Sequence, residues 1–140
     1  MTPFDYAKLE LGTAEVLGKA SNPRIDQYLS TTSLPEGMIE DSTPWCSAFV
    51  NWCHVMAGIE GTNRANARSW LEWGEEVKWP PQVGDVTVLW RNSQKGAKGH
   101  VGFYVREDKN RVFLLGGNQN NRVCIAPYPK VRIMGYRRFA

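Results

Sequence analysis

The stretch Ser42–His54, STPWCSAFVNWCH, contains two of the three cysteines and one of the two histidines of this 140-residue chain. From Cys46 to Ala57, apolar residues recur at the spacing of one buried helical face; they are Cys46, Phe49, Val50, Cys53 and Ala57. Thr43 followed by Pro44 is typical of a helix start, because threonine caps a free N–H group and proline at the first helical position loses no hydrogen bond. The pattern predicts a helix that begins at Thr43-Pro44 and ends at Gly58.

The two cysteines of this helix do not suit a disulfide or a zinc site. Seven residues separate Cys46 from Cys53, a rise of about 10.5 Å, whereas a disulfide needs Cα atoms within about 7 Å. Their spacing, with His54 next to Cys53, does not match the ligand spacings of zinc sites. We interpret Cys53, in mid-helix, and Cys124, in a predicted strand, as core residues, and expect no metal or other cofactor.

Cys46 lies in the first turn of the predicted helix, and this position has two interpretations. The positive end of the helix dipole favours a thiolate, and the unpaired N–H groups of the first turn can donate to an oxyanion. Both properties suit a nucleophile. A cysteine on the apolar face suits the core equally well, so position alone leaves both interpretations open.

A cysteine nucleophile needs a histidine base, and the chain offers two histidines. His54 lies eight residues further along the same helix, a rise of about 12 Å, which is too far from Cys46 for a hydrogen bond; we expect it to be partly exposed. His100 opens a predicted strand, GHVGFYV, in which Gly102 leaves room for a helix end to approach. Taken alone, His100 is also compatible with a strand-edge residue that has no role.

The segment GGNQNN, residues 116–121, offers a third group that could orient the imidazole. A side-chain carbonyl of Asn118 or Gln119 is able to accept a hydrogen bond from a histidine. Asn118 is the first candidate and Gln119 the alternative. Asn-rich segments also form hairpin turns without any further role.

The order of the predicted elements indicates the fold class. Capped starts predict a helix from Thr2-Pro3 to about Gly18, a short one from Asn22-Pro23 and another over Ala65–Trp73. Short β-rich runs follow, at residues 85–90, 100–105, 111–116, 122–128 and 131–138. Helices followed by strands are typical of an α+β fold with an antiparallel sheet, and the length predicts a single domain, 1–140.

Composition narrows the function classes. The net charge is +3 with a pI near 8.8, and the basic residues are scattered, so we expect no nucleic-acid groove. No apolar run approaches the roughly 20 residues of a membrane helix. We expect no secretory signal, because the stretch MTPFDYAKLELG has neither a basic region nor an apolar run. Three of the six tryptophans, Trp45, Trp70 and Trp73, are predicted to line a groove for peptide or sugar.

Three blocks of the sequence resemble the signature blocks of NlpC-type and CHAP-type cysteine peptidases: CSAFVNW, PQVGDVTVLW and GHVGFYV. The resemblance implies a papain-like fold, with a nucleophile helix packed on a five- to six-stranded antiparallel sheet. It also implies Cys46 as nucleophile, His100 as base and Asn118 or Gln119 as the orienting residue. Trp45 stands where many NlpC-type members have aspartate, which favours the CHAP side, and no Asp-rich calcium loop is present.

The resemblance implies a peptidoglycan hydrolase that cleaves an amide bond in or next to the stem peptide, as an amidase or an endopeptidase. A thiol acyltransferase on the same fold and a non-catalytic wall-binding module are the alternatives. We expect synthesis in the cytoplasm without a signal peptide, as in a phage endolysin released by a holin or a secreted antibacterial effector. We expect a monomer, and the candidate partners are peptidoglycan and an inhibitor or immunity protein.

Overall fold

The computed structural model describes residues 1–16, 22–33 and 44–139. The helices are α1 (Pro3–Leu9), α2 (Pro23–Ser30) and α3 (Cys46–Met56), with 3₁₀ helices at Ala67–Glu72 and Lys130–Arg132. The strands are β1 (Glu75–Val77), β2 (Val86–Trp90), β3 (Gly99–Glu107), β4 (Arg111–Gln119), β5 (Arg122–Pro129) and β6 (Ile133–Arg138). They form one antiparallel sheet in the order β1-β6-β2-β3-β4-β5. The predicted α+β class is confirmed, with the short edge strand β1 as an addition.

Helix α1 begins as predicted and ends earlier than predicted. Thr2 and Asp5 form a capping box, but the helix stops at Leu9, and Gly18 lies outside the described residues. The chain turns at Gly12, whose φ is +96°, and the following residues pair with the start of β5; the N–H of Gly12 donates to Val123 O over 3.0 Å. This long-range pairing replaces the helix after the first two turns.

Helix α3 begins at Cys46, two residues after Pro44. Trp45 occupies the cap position without a side-chain cap, and Thr43 lies outside the described residues. Residues 46–54 are all buried, because α1 and α2 pack on one side of the helix and β3 and β4 on the other. The helix ends just before Gly58, whose φ of +75° is the predicted left-handed stop.

Strand β3 separates two apolar clusters on the two faces of the sheet. Val101 and Phe103 pack with α3 in the larger cluster, whereas Tyr104 packs with Leu89 and Leu114 in the smaller one. Successive side chains of β3 thus point to opposite faces of the sheet. The predicted helix at Ala65–Trp73 is instead the 3₁₀ helix Ala67–Glu72, which packs against β2, β3 and β6.

Candidate active site

Cys46 and His100 line the same pocket, which has a volume of about 240 Å³. Cys46 is the first residue of α3, and His100 is the second residue of β3. The backbone N–H of Val101, next to His100, lies close enough to the Cys46 thiol to form a hydrogen bond with it. The structure therefore brings the predicted nucleophile and the predicted base together, although 54 residues separate them in the sequence.

Gln119 contacts the imidazole of His100. Its Oε1 lies 2.9 Å from His100 Nε2, while its Nε2 donates to Leu114 O at 3.2 Å and to Cys124 O at 2.7 Å. Because the amide nitrogen faces two carbonyl oxygens, Oε1 must face the ring and accept a proton from it. His100 therefore carries its proton on Nε2, and Nδ1 keeps the lone pair that can take up another proton.

The first candidate for this contact, Asn118, is replaced by the alternative, Gln119. Asn118 lines the pocket, but its φ of +57° and the register shift between Gly116 and Gln119 leave Gln119 as the residue that reaches His100. Gly116 makes room for the pair, since a Cβ there would lie 2.5 Å from Gln119 Oε1 and 3.5 Å from His100 Nε2.

Tyr128 is a second neighbour of the imidazole that the sequence did not reveal. Its hydroxyl lies 3.2 Å from His100 Nε2, and the two ring centroids are 5.0 Å apart. Since Nε2 carries the proton that Gln119 accepts, the tyrosine oxygen can share that proton as a second, weaker acceptor. The alternation along β5 indicates which face of the strand Tyr128 lies on, but it does not indicate that this residue lies next to His100 in another strand.

The environment of Cys46 differs from the thiolate site that its helix position suggested. Burial raises the pKa of the Cys46 thiol, and the nearby N–H groups of Val101 and Ser47 and the charge of Arg91 only partly oppose this effect. Desolvation disfavours the charged form. The resting thiol is therefore protonated at neutral pH.

The imidazole of His100 is also neutral at rest. Burial lowers the pKa of His100 to about 4, the hydrogen bond to Gln119 raises it, and the charges of Arg91 and Arg132 lower it further. A neutral imidazole and a neutral thiol in one pocket have the protonation states that general-base activation of a thiol requires.

A second pocket, of about 300 Å³, is also lined by Cys46. Arg91 and Cys46 line both pockets. The wall of the second pocket includes the turn between β2 and β3, which Arg68 holds with guanidinium hydrogen bonds of 2.7 to 3.0 Å to three carbonyl oxygens, those of Ser93, Gln94 and Lys98. Cys46 and Arg91 therefore border two recesses of the surface.

The three tryptophans predicted to line a groove have other positions. Trp45 and Trp70 are fully buried, so neither can line a groove. Trp45 packs against the backbone of Gly117, where a Cβ would lie 2.6 Å from its ring. Trp70 donates to Ser47 Oγ over 2.9 Å, and Trp73 is half-buried away from both pockets that adjoin Cys46.

Glycine contacts also correct the prediction for Gly102. A Cβ at Gly102 would lie 3.1 Å from Leu114 Cβ in the neighbouring strand. The close approach of α3 to the sheet depends on Gly117 instead, where a Cβ would lie 2.8 Å from Phe49 Cβ.

His54 is buried, contrary to the prediction that it is partly exposed. It is 2% exposed and packs against Trp70 and Trp73, with ring centroids 5.0 and 4.8 Å away. Its Nδ1 lies 2.8 Å from Val50 O, and burial lowers its pKa to about 4. It is a core histidine.

The remaining cysteines are free and lie away from the pocket wall. Cys53 is fully buried, as predicted, whereas Cys124 is only half-buried. Within residues 1–16, 22–33 and 44–139, no group of three or more histidine, cysteine or acidic side chains is arranged to hold a metal ion. The same ranges contain no helix of the length and apolarity needed to span a membrane.

Comparison of the sequence with models of known protein families shows to which family the chain belongs. The family model described as "CHAP domain" matches residues 38–118, more than half of the chain. The chain belongs to the CHAP domain family. The matched segment contains both Cys46 and His100.

Solved structures support the papain-like fold of this CHAP chain. An NLP/P60-family protein from Staphylococcus aureus, described as similar to lipoprotein, matches with a TM-score of 0.55 and 19% identity, over 99% of this chain and 41% of its own. An NlpC/P60-family protein from Bacillus cereus matches with a TM-score of 0.59 and 18% identity, over 98% of this chain and 39% of its own. This chain thus spans about two fifths of the length of each. No curated protein sequence matches it.

Proposed function

We propose that this CHAP chain is a thiol-dependent hydrolase that cleaves an amide bond in or next to the stem peptide of bacterial peptidoglycan. The observation that carries the proposal is the placement of Cys46, at the start of a buried helix, in one pocket with His100. The hydrogen bond of His100 to Gln119 supports the same proposal, because a hydrolase base needs a third group to fix its ring.

In the first step, Nδ1 of His100 takes the thiol proton of Cys46 while Sγ attacks the carbonyl carbon of the amide. The N–H groups of the first turn of α3 have no partner within the helix, and they stabilise the negative charge on the carbonyl oxygen. Gln119 keeps the imidazole in the tautomer that this transfer needs. The sulfur–carbon bond forms as the carbonyl π-bond opens.

In the second step, the tetrahedral intermediate collapses and the carbon–nitrogen bond breaks. His100 returns its proton to the leaving amine, and Cys46 is left as a thioester. His100 then removes a proton from water, whose oxygen attacks the thioester, and the thiol leaves with that proton. Each cycle therefore consumes one water and produces one new amine and one new carboxylate.

Release of primary amines from purified sacculi tests the proposal. The wild-type protein is expected to release amines without new reducing ends, since amide cleavage leaves the glycan intact. Cys46→Ala and His100→Ala are expected to release none. Cys124→Ser, which removes a thiol outside the pocket and keeps a donor for Gln119 O, is the matched control. Undiminished amine release by Cys46→Ala, or new reducing ends in place of amines, would refute the proposal.

A further inference from the structure

Two arginines from different parts of the chain line the pocket of Cys46 and His100. Arg91 directly follows β2, and Arg132 ends the 3₁₀ helix that precedes β6. No aspartate or glutamate is among the described residues that line this pocket. The pocket is therefore a cationic recess beside the reacting sulfur.

Arg132 is held in place with part of its hydrogen-bonding capacity left over. Its Nε donates to Trp90 O over 2.9 Å, and its guanidinium carbon lies 5.8 Å from the ring centres of both Trp90 and Tyr128. Within the described part of the chain, its two terminal nitrogens have no hydrogen-bond partner. A planar guanidinium fixed in this way is preorganised for a planar anion.

Arg91 is tied to the fold through its backbone and not through its side chain. Its N–H donates to Lys98 O over 3.1 Å, whereas its exposed guanidinium pairs with no carboxylate of the described residues. By contrast, the guanidinium of Arg138 forms a two-armed pair with Asp85, at 2.7 and 2.8 Å, and Arg111 pairs with Asp108 at 2.7 Å.

The charges of both arginines reach the reacting groups. Arg91 and Arg132 each lower the pKa of His100, and Arg91 also lowers the pKa of Cys46. Both cations disfavour the protonated form of the imidazole, and a bound anion would neutralise their charge next to the ring. The recess thus favours a ligand group of negative charge and disfavours an ammonium group.

We infer that Arg91 and Arg132 form a carboxylate-binding subsite beside Cys46, which takes a free carboxylate of an acidic stem-peptide residue next to the scissile amide. The inference rests on the proposed function for the identity of the substrate. A guanidinium fork matches a carboxylate with two parallel hydrogen bonds, and the stem peptide supplies such groups at its acidic residues. An acidic peptide, and not the neutral sugar backbone, is therefore the part of the wall that occupies this pocket.

Binding to the inactive Cys46→Ala protein tests the subsite without turnover. Calorimetric titration compares alanyl-γ-glutamyl-lysine, whose glutamate α-carboxyl is free, with its α-carboxamide analogue. Hydrogen bonds to a charged group contribute about 1.5–3 kcal/mol, so the carboxylate peptide is expected to bind about tenfold tighter or more. When Arg91→Gln or Arg132→Gln is introduced into the Cys46→Ala protein, the ratio of the two dissociation constants is expected to fall towards one.

Two further variants separate a specific subsite from other effects. Lys109→Gln removes the same charge at the exposed turn between β3 and β4 and is expected to keep the full ratio. Arg91→Gln breaks no hydrogen bond to the described residues, so it remains informative if Arg132→Gln lowers the melting temperature. Equal binding of the two peptides, a preference that survives in both arginine variants, or no binding of either peptide would overturn the inference. Amine release from sacculi by the wild-type protein, measured separately, shows whether the proposed function stands when the subsite fails.

Discussion

Replacement of Gln119 by alanine tests whether this residue positions the imidazole. Gln119 is 3% exposed, and its removal leaves the buried Nε2–H of His100 with only the Tyr128 hydroxyl at 3.2 Å. A buried donor without a proper partner costs about 1–3 kcal/mol. If the transition state bears this cost, kcat falls by about 5- to 150-fold, with little change in KM.

The loss should be largest when the imidazole is charged. His100 becomes cationic as it accepts the thiol proton, so its Nε2–H then needs its acceptor more than in the resting state. The hydrogen bond to Gln119 raises the pKa of His100, and its removal is expected to lower that pKa further below about 4. Nuclear magnetic resonance of the ring and the kinetics of amine release report the two effects separately.

Asn118→Gly is the matched control for this variant. Asn118 adopts a φ of +57°, which glycine accepts without strain, and the replacement removes a neighbouring amide that does not contact His100 Nε2. Activity within about twofold of the wild type is expected. Full activity in Gln119→Ala together with a large loss in Asn118→Gly would refute the reasoning and return the role to Asn118.

Three further predictions follow from the same structure. Burial raises the pKa of Cys46, so its alkylation by iodoacetamide is expected to keep accelerating above pH 9, and a plateau near neutral pH would contradict this. His54 and His100 have pKa values of about 4 in the folded state and about 6.5 in the unfolded state. Between these two pH values only the unfolded state takes up protons on the histidines. The free energy of unfolding should therefore fall as the pH drops from 6.5 to 4, by up to about 3 kcal/mol for each histidine. Urea titrations at several pH values measure this, and a flat profile would count against it. Arg68→Ala removes the guanidinium bonds to the β2–β3 turn and is expected to speed amide hydrogen exchange there by about tenfold or more, whereas unchanged protection would show that the turn does not depend on it.

Local patterns in the sequence predicted the elements that carry the site. The apolar spacing after Pro44 predicted α3, and the alternation after Gly99 predicted β3, because both periodicities depend only on neighbouring residues. The cap signals located the starts of α1 and α2. The predicted end of α1 was wrong, because the residues after Leu9 pair with β5 and no local sequence signal indicates such a long-range interaction.

The surroundings of single side chains were predicted less well, for physical reasons that differ between residues. The predictions for Trp45 and His54 were wrong because Trp45 and all residues from 46 to 54 are buried, whereas a one-sided apolar face was expected. The contact of Gln119 depends on backbone dihedral angles in GGNQNN. A signal was present in that segment: asparagine favours left-handed backbone, and Asn118, Asn120 and Asn121 all adopt it, which left Gln119 as the residue free to point inward.

Mass spectrometry of the soluble products from purified sacculi tests the central claim most directly, with the wild-type protein and Cys46→Ala compared at equal concentration. The account predicts stem peptides or shortened muropeptides with new amino ends from the wild type only, and the masses identify which amide bond is cleaved. Circular dichroism of Cys46→Ala should match that of the wild type, so that the loss reports chemistry and not unfolding. Equal products from both proteins, or none from either, would contradict a hydrolase that uses Cys46.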